Sequence, residues 1–177
     1  MATGPDTEVR SCWAMEILDK ARHDRDAFAC ATPALDRYLQ KQAAQEMRRL
    51  ASATYVLVDP NQPSWIRGYY TLSSTAAELD ELPEETARKL PSYPKVLAVL
   101  IARLAVNGAD AGRGYGAILL ANALRRACTY ARTIGAALLV VEAKDDNAVA
   151  FYQHFGFRTF PDHDYHLFMP MREAEKV

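Results

Sequence analysis

The chain has 177 residues, half of them hydrophobic and about a quarter charged, with a formal net charge of −1. That is enough for one domain with a buried core, and the balance excludes a disordered or fibrous chain. No apolar run approaches the ~18 residues of a membrane span, and residues 1–9 lack the apolar core of a signal peptide.

Residues 1–6 read as a frayed end and residues 11–18 as a first strand. Asp24 is placed to cap a short turn that buries Phe28. Thr32-Pro33 opens a helix, with Thr as N-cap and Pro at the first helical position. Leu35, Leu39, Ala43, Met47 and Leu50 keep one face of it, while Arg37, Lys41, Arg48 and Arg49 lie off that stripe. Residues 54–59 and 65–73 read as a hairpin around the turn at residues 60–64. Residues 75–94 form a long acidic connection in which Pro83 and Glu84-Glu85 open a short helix.

Residues 96–106 are almost all apolar, as in a strand covered on both faces. Gly112, Gly114 and Gly116 follow, then helical apolar spacing over residues 117–131 and a stop at Gly135. Alternating glycines at a helix start leave backbone N–H groups unobstructed, which suits a phosphate or pyrophosphate. The same glycines also fit a plain strand-to-helix turn, and their spacing is neither the dinucleotide fingerprint nor a P-loop. Residues 137–143 are a second buried strand. Asp145-Asp146-Asn147 offers caps for a helix to about Phe155, ended by Gly156, and strands over 157–160 and 165–171 close the sheet. The order βαββ(α)βαβαββ predicts a mixed α/β (α+β) sheet with helices on both faces, in one domain spanning 1–177. Residues 103–106 and 140–142 are expected as neighbouring parallel strands, with a ligand cleft between their ends.

Charge is segregated. From residue 86 to 132 the cations are Arg88, Lys89, Lys95, Arg103, Arg113, Arg125, Arg126 and Arg132, and the only acid is Asp110. A solvated surface accounts for such a run; so does a polyanionic ligand beside the glycine loop. Cys12, Cys30 and Cys128 are few and scattered, and predict reduced thiols in a cytoplasmic protein. His23, His154, His163 and His166 lack ligand spacing, so no metal is expected.

Asn147-x-x-Ala150-Phe151-Tyr152-x-x-x-Gly156-Phe157 resembles the C-terminal signature of the GNAT N-acetyltransferases. Phe28-Ala29-Cys30, Leu35-Asp36-Arg37-Tyr38-Leu39, Gly68-Tyr69-Tyr70-Thr71-Leu72-Ser73, Arg103-Leu104-Ala105-Val106 and Leu167-Phe168-Met169-Pro170-Met171 narrow the resemblance to the GNAT toxins of type II toxin–antitoxin modules. It covers about residues 13–171. It implies the GNAT fold, acetyl-CoA as cofactor and acetylation of the α-amine of aminoacyl-tRNA, blocking translation. It also implies a ribbon-helix-helix antitoxin as partner, and allows a homodimer. The chain departs from the family at Ala111, where the glycine loop usually begins with Gln or Arg; the backbone donors survive, and Arg113 is the nearest replacement.

The resemblance implies that Gly112, Arg113, Gly114, Tyr115, Gly116 and Ala117 hold the pyrophosphate. Leu104, Ala105 and Val106 then pair with the pantetheine arm, and a backbone N–H near Val106 faces the thioester oxygen. Tyr152 is the natural acid for the leaving thiolate, since a phenol stays protonated at neutral pH; taken alone it reads as a core aromatic. Asn147 is a helix cap or a cofactor ligand. Glu142 fits a solvated residue or a base acting through water. Arg103 reaches the acceptor side or pairs with an acid across the sheet. Arg88, Lys89, Lys95, Arg103, Lys41, Arg48 and Arg49 are the candidates for tRNA phosphates. The alternatives are a GNAT enzyme for a small or protein amine, and a non-catalytic acyl-CoA- or nucleic-acid-binding module. An acidic pocket would mark a cationic small amine; a basic cleft mouth would mark tRNA.

Overall fold

The structure is a computed structural model and describes residues 13–177. The expectations for residues 1–6 and for Cys12 lie outside the described residues. Seven strands form one mixed sheet in the order β1-β2-β3-β4-β5-β7-β6. They are β1 (Ala14–Ile17), β2 (Ala53–Asp59), β3 (Gln62–Glu78), β4 (Lys95–Val106), β5 (Leu138–Glu142), β6 (Arg158–Phe160) and β7 (His163–Pro170). Only β4 and β5 pair in parallel.

The first helical run is α1 (Pro33–Arg37), one π turn (Tyr38–Gln42) and α2 (Ala43–Arg48). With Phe28 of the preceding turn, it lays Tyr38, Leu39 and Ala43 on Val56, Val58, Ile66, Tyr69 and Ala105 of one sheet face. Two details differ from expectation. Leu50 is not on the buried stripe: the helix ends at Arg48, and Leu50 turns out to solvent with a left-handed φ of 56°. Thr32 is the N-cap residue, but its hydroxyl caps no backbone N–H and receives Lys144 Nζ instead. Asp24 does cap the turn that buries Phe28, its Oδ1 accepting from Asp26 and Ala27.

The opposite face carries α4 (Tyr115–Ile134). Leu119, Leu120, Ala123, Leu124, Ala127 and Ala131 form its buried stripe against Tyr55, Leu57, Tyr70, Leu72, Val99 and Ile101. Each fully buried Leu contributes ~1.5–3 kcal/mol. Gly135, at φ 79°, ends α4 in the left-handed conformation that a Cβ disfavours. α5 (Asp146–His154) packs beside α4, and the short α3 (Glu84–Ala87) covers the other face near Leu82, Val96 and Phe168. A final turn, α6 (Met171–Ala174), had no sequence signal.

The hairpin turn is two residues rather than five, because β3 begins at Gln62. β3 also runs to Glu78, so part of the expected connection at residues 75–94 is strand paired with β4. β4 is not covered on both faces throughout: α4 ends short of its first turns, and Leu97 is 55% exposed. No helix among the described residues is long and apolar enough to cross a membrane.

Candidate active site

The site begins with a fault in β4. β3 and β4 keep antiparallel register from Gly68↔Val106 to Thr71↔Arg103, but Leu72 pairs with Ile101, leaving Ala102 as an extra residue. Such a bulge bends the strand and reverses which side chains face which way. Val99 and Ile101 face α4; beyond the bulge Leu104 and Val106 do, while Arg103 and Ala105 face the first helix.

The bend also separates β4 from β5. Parallel pairing covers only Ala98↔Leu138 to Ile101↔Val141. β4 and β5 are thus the expected parallel neighbours, but residues 103–106 stand apart from 140–142 because the bulge turns β4 away, and a wedge opens between the strand ends. Asn107 N–H donates to Arg67 O at 2.8 Å and continues the β3 ladder. The antiparallel alternation then turns the backbone groups of Leu104 and Val106 to the wedge side, where no strand meets them.

At the head of the wedge lies the glycine loop. Gly112 and Gly114 have φ of 77° and 79° with open space where a Cβ would project. No backbone carbonyl of a described residue accepts from Gly112, Arg113, Gly114, Tyr115, Gly116 or Ala117 N–H, so six successive donors surround the N-terminus of α4. The loop is staked from below. Asn107 Oδ1 accepts from Ala109 N–H while its Nδ2 donates to Ile66 O, and Gly108 N–H donates to Ala29 O at 2.8 Å. Asp110, 4% exposed, accepts from Trp65 Nε1 at 3.0 Å and pairs with Arg67 at 3.3 Å; Arg67 also reaches Tyr115 Oη at 2.8 Å. Sequence reasoning missed this brace. Its signal was Asp110 standing as the single acid in a basic stretch.

Ala111 is exposed, and Arg113 extends outward, 3.6 Å from Asp110. A Cβ on Gly116 would lie 3.5 Å from the Phe151 ring and 3.9 Å from Val106, so α4, α5 and the end of β4 converge here. The next residue, Tyr152, has its ring packed edge-on against Phe151 and Phe157 at 5.3 and 5.6 Å. The ring is buried, yet the hydroxyl makes no hydrogen bond with a described residue and is not sealed from solvent. Burial pushes its pKa well above that of an ordinary phenol, which keeps it a proton donor. Asp145, not Asn147, is the cap of α5, its Oδ1 accepting from Ala148 N–H at 2.8 Å. Asn147 is exposed in the first turn with its amide free. Glu142 is exposed opposite His166 in β7. Among the described residues no His, Cys, Asp and Glu cluster fits a metal.

The expected basic block does not gather at the loop. Lys95 begins a 12-residue strand that ends at Val106, about 35 Å away at ~3.3 Å per residue. Arg88 and Lys89 follow α3 at that distal end. Arg88 pairs with Glu84, Lys95 with Glu78 at 3.1 Å and Arg132 with Glu175 at 2.7 Å. Arg126 lies over the Tyr55 ring at 4.1 Å. Arg103 pairs with no acid among the described residues; its guanidinium lies 3.6 Å from the centre of the Tyr38 ring. Lys41 and Arg48 are exposed on the first helical run and Arg49 just after it; the run starts beside Lys144 at the wedge and leads away, so that residues 50–53 lie beside Tyr130 and Ile134 at the far end of α4.

Known proteins share this architecture. The Acetyltransferase (GNAT) family model matches residues 86–157. A tRNA-acetylating toxin of Mycobacterium tuberculosis is 33% identical over 154 residues, 87% of this chain and 90% of its own. AtaT complexed with acetyl-methionyl-tRNAfMet superposes with a TM-score of 0.85 at 29% identity, over 93% of this chain and 98% of that one. An AtaT mutant bound to acetyl-CoA and the C-terminus of the antitoxin AtaR superposes at 0.79 and 26% identity, over 93% and 97%. The bulged, splayed strand, the glycine loop at a helix start and the phenol beside them are thus found in a chain that belongs to the GNAT family of acetyltransferases, among its toxin members.

Proposed function

We propose that this single GNAT domain is a toxin that transfers the acetyl group of acetyl-CoA to the α-amine of aminoacyl-tRNA, so that the charged tRNA is lost to translation. The observation that carries the reading is the wedge between β4 and β5, with the unpartnered hydroxyl of Tyr152 on its wall. The toxin relatives share the fold over nearly the whole chain and supply the acceptor class.

The residues present fit acetyl-CoA. Six free N–H groups at a helix N-terminus, with the helix dipole behind them, suit a pyrophosphate. The free edge at Leu104 and Val106, on either side of Ala105, can hydrogen-bond an amide-bearing arm as a strand would, and Asn147 offers its amide at the start of α5. Bound acetyl-CoA supplies an activated acyl group as a thioester. Val106 N–H faces the wedge and donates to oxygen charge that develops there; one such oriented donor is worth ~3–4 kcal/mol. Tyr152 holds a proton on Oη and releases it to the departing sulfur. An α-amine titrates near ~8, so a useful fraction is neutral at pH 7 without a dedicated base. Lys41, Arg48 and Arg49 lie along the first helical run as it leads away from the wedge and, with Arg88, Lys89 and Lys95 at the distal end, are the candidates for phosphates of so large a ligand. A ribbon-helix-helix antitoxin restrains the enzyme in the cytoplasm, and a second copy of the chain completes a homodimer.

The test is to supply labelled acetyl-CoA with charged tRNA, deacylated tRNA, polyamines and peptides. Label on charged tRNA alone is expected. Label on a polyamine or peptide, with none on charged tRNA, moves the protein to the small-amine or protein-amine class. Binding without any transfer makes it a non-catalytic module.

A further inference from the structure

Arg103 is a residue of the site region whose charge no described residue answers. Its position follows from the Ala102 bulge, which turns it from the α4 face to the face of the first helix. There it lies flat on Tyr38, 3.6 Å from the ring centre. Tyr38 is a rigid platform: only 2% exposed, its hydroxyl donates to Glu46 at 2.7 Å and lies 3.3 Å from Ser52, which donates to the same carboxylate. The ring opens the π turn, and π turns are frequent at functional sites.

Two other cations at this end of the sheet are committed. Arg67 pairs with Asp59 and Asp110, and Lys144 donates to Thr32. Arg103 makes no hydrogen bond or ion pair with a described residue, and none of its nitrogens is sealed from solvent. The nearby Asp36 accepts Cys30 N–H at 2.7 Å and does not turn to it. A half-buried guanidinium without a counter-charge is costly, and stacking on an aromatic ring offsets only ~0.5–2 kcal/mol. What it retains is a fork of donors, fixed in orientation and one residue from the bulge. That is the geometry for two oxygens of one anion.

We propose that Arg103 binds the phosphodiester of the acceptor's terminal nucleotide and so sets where the reacting amine stops. The proposal rests on the aminoacyl-tRNA reading above. On a charged 3′ end the anion nearest the amine is that phosphate, and a contact to it holds any aminoacyl end alike, without reading bases.

Two minimal acceptors isolate the contact: 3′-aminoacyl-adenosine with and without a 5′-phosphate. For the native protein the phosphate should raise kcat/KM by ~10–100-fold, the range of a charge-assisted hydrogen bond, mainly through KM. Arg103→Met should abolish that preference, with the cofactor Kd unchanged. Arg103→Lys should restore part of it, and Tyr38→Phe, which keeps the ring, should retain it. The proposal is overturned if the native protein shows no phosphate preference. Preference surviving in Arg103→Met, or equal losses on both acceptors, overturns it as well, since equal losses mean a structural role. Failure of the native protein to acetylate either acceptor or charged tRNA overturns the acceptor reading itself.

Discussion

Removing one oxygen from Tyr152 separates its chemistry from its packing. The ring is held by Phe151 and Phe157, and the hydroxyl has no partner in the described fold. Tyr152→Phe therefore loses no internal hydrogen bond, and its stability should stay within ~0.5 kcal/mol of native. Turnover should fall by ~10²–10⁴, the usual contribution of a positioned general acid, or ~2.7–5.4 kcal/mol of barrier. The sign of the pH dependence follows from burial. Tyr152 acts in its protonated form, and burial raises its pKa. Loss of the acid form is thus displaced above the ~10 of an ordinary phenol, and the native rate should show no basic limb from this group below that value. The assay is single-turnover transfer from labelled acetyl-CoA, with cofactor affinity by calorimetry and folding by thermal unfolding. A Phe variant that binds cofactor normally and transfers as fast as the native protein refutes the assignment.

Gly114→Glu should abolish acetyl-CoA binding while far-UV circular dichroism stays native, because the Cβ meets nothing in the fold but needs a left-handed φ, at ~1–2 kcal/mol; unchanged affinity by calorimetry makes the loop a plain turn. Gly68→Ala places a Cβ 2.8 Å from Leu119 Cδ1 and 2.9 Å from Ala105 O, so the strand beside the wedge must shift. A loss of ~1–3 kcal/mol is expected, read as a lower Tm, and an unchanged Tm refutes the close packing. Lys41→Gln and Arg49→Gln should each weaken tRNA binding modestly and lower its salt slope by about one ion, with acetyl-CoA affinity unaltered; slopes equal to native exclude these residues from the interface.

The order of elements was legible because each signal is local. Proline and threonine open the first helix, glycine closes α4 and α5, and period-2 or continuous apolar runs mark the strands. The glycine loop was placed for the same reason. The wedge was not legible, since one extra residue at Ala102 in an unbroken apolar run changes no pattern. Arg103 was visible as an anomaly in that run, but its platform lies 65 residues earlier in a π turn that spacing rules do not anticipate. The basic stretch does not stay together in space, because β4 carries Arg103 to one end of the sheet while Lys95 stays at the other, where Glu78 meets it. Leu50 failed because chain reversal overrode periodicity, and Thr32, though it is the N-cap residue, has its hydroxyl taken by Lys144.

The wedge also bears on how the protein avoids its own kind. An unpaired strand edge at the rim of a sheet is a template for another chain, and a common start of aggregation. Here the unpaired edge at Leu104 and Val106 lies in the interior of the sheet, between β3 and a diverging β5. A whole strand with its side chains cannot slide in sideways past both neighbours, whereas a thin, flexible chain of amides can enter end-on. The gap between β4 and β5 is thus better suited to a thin chain of amides than to another strand. A ligand filling it adds the missing rung, so saturation should tighten the sheet by mass action and shield β5 and α5 from proteases.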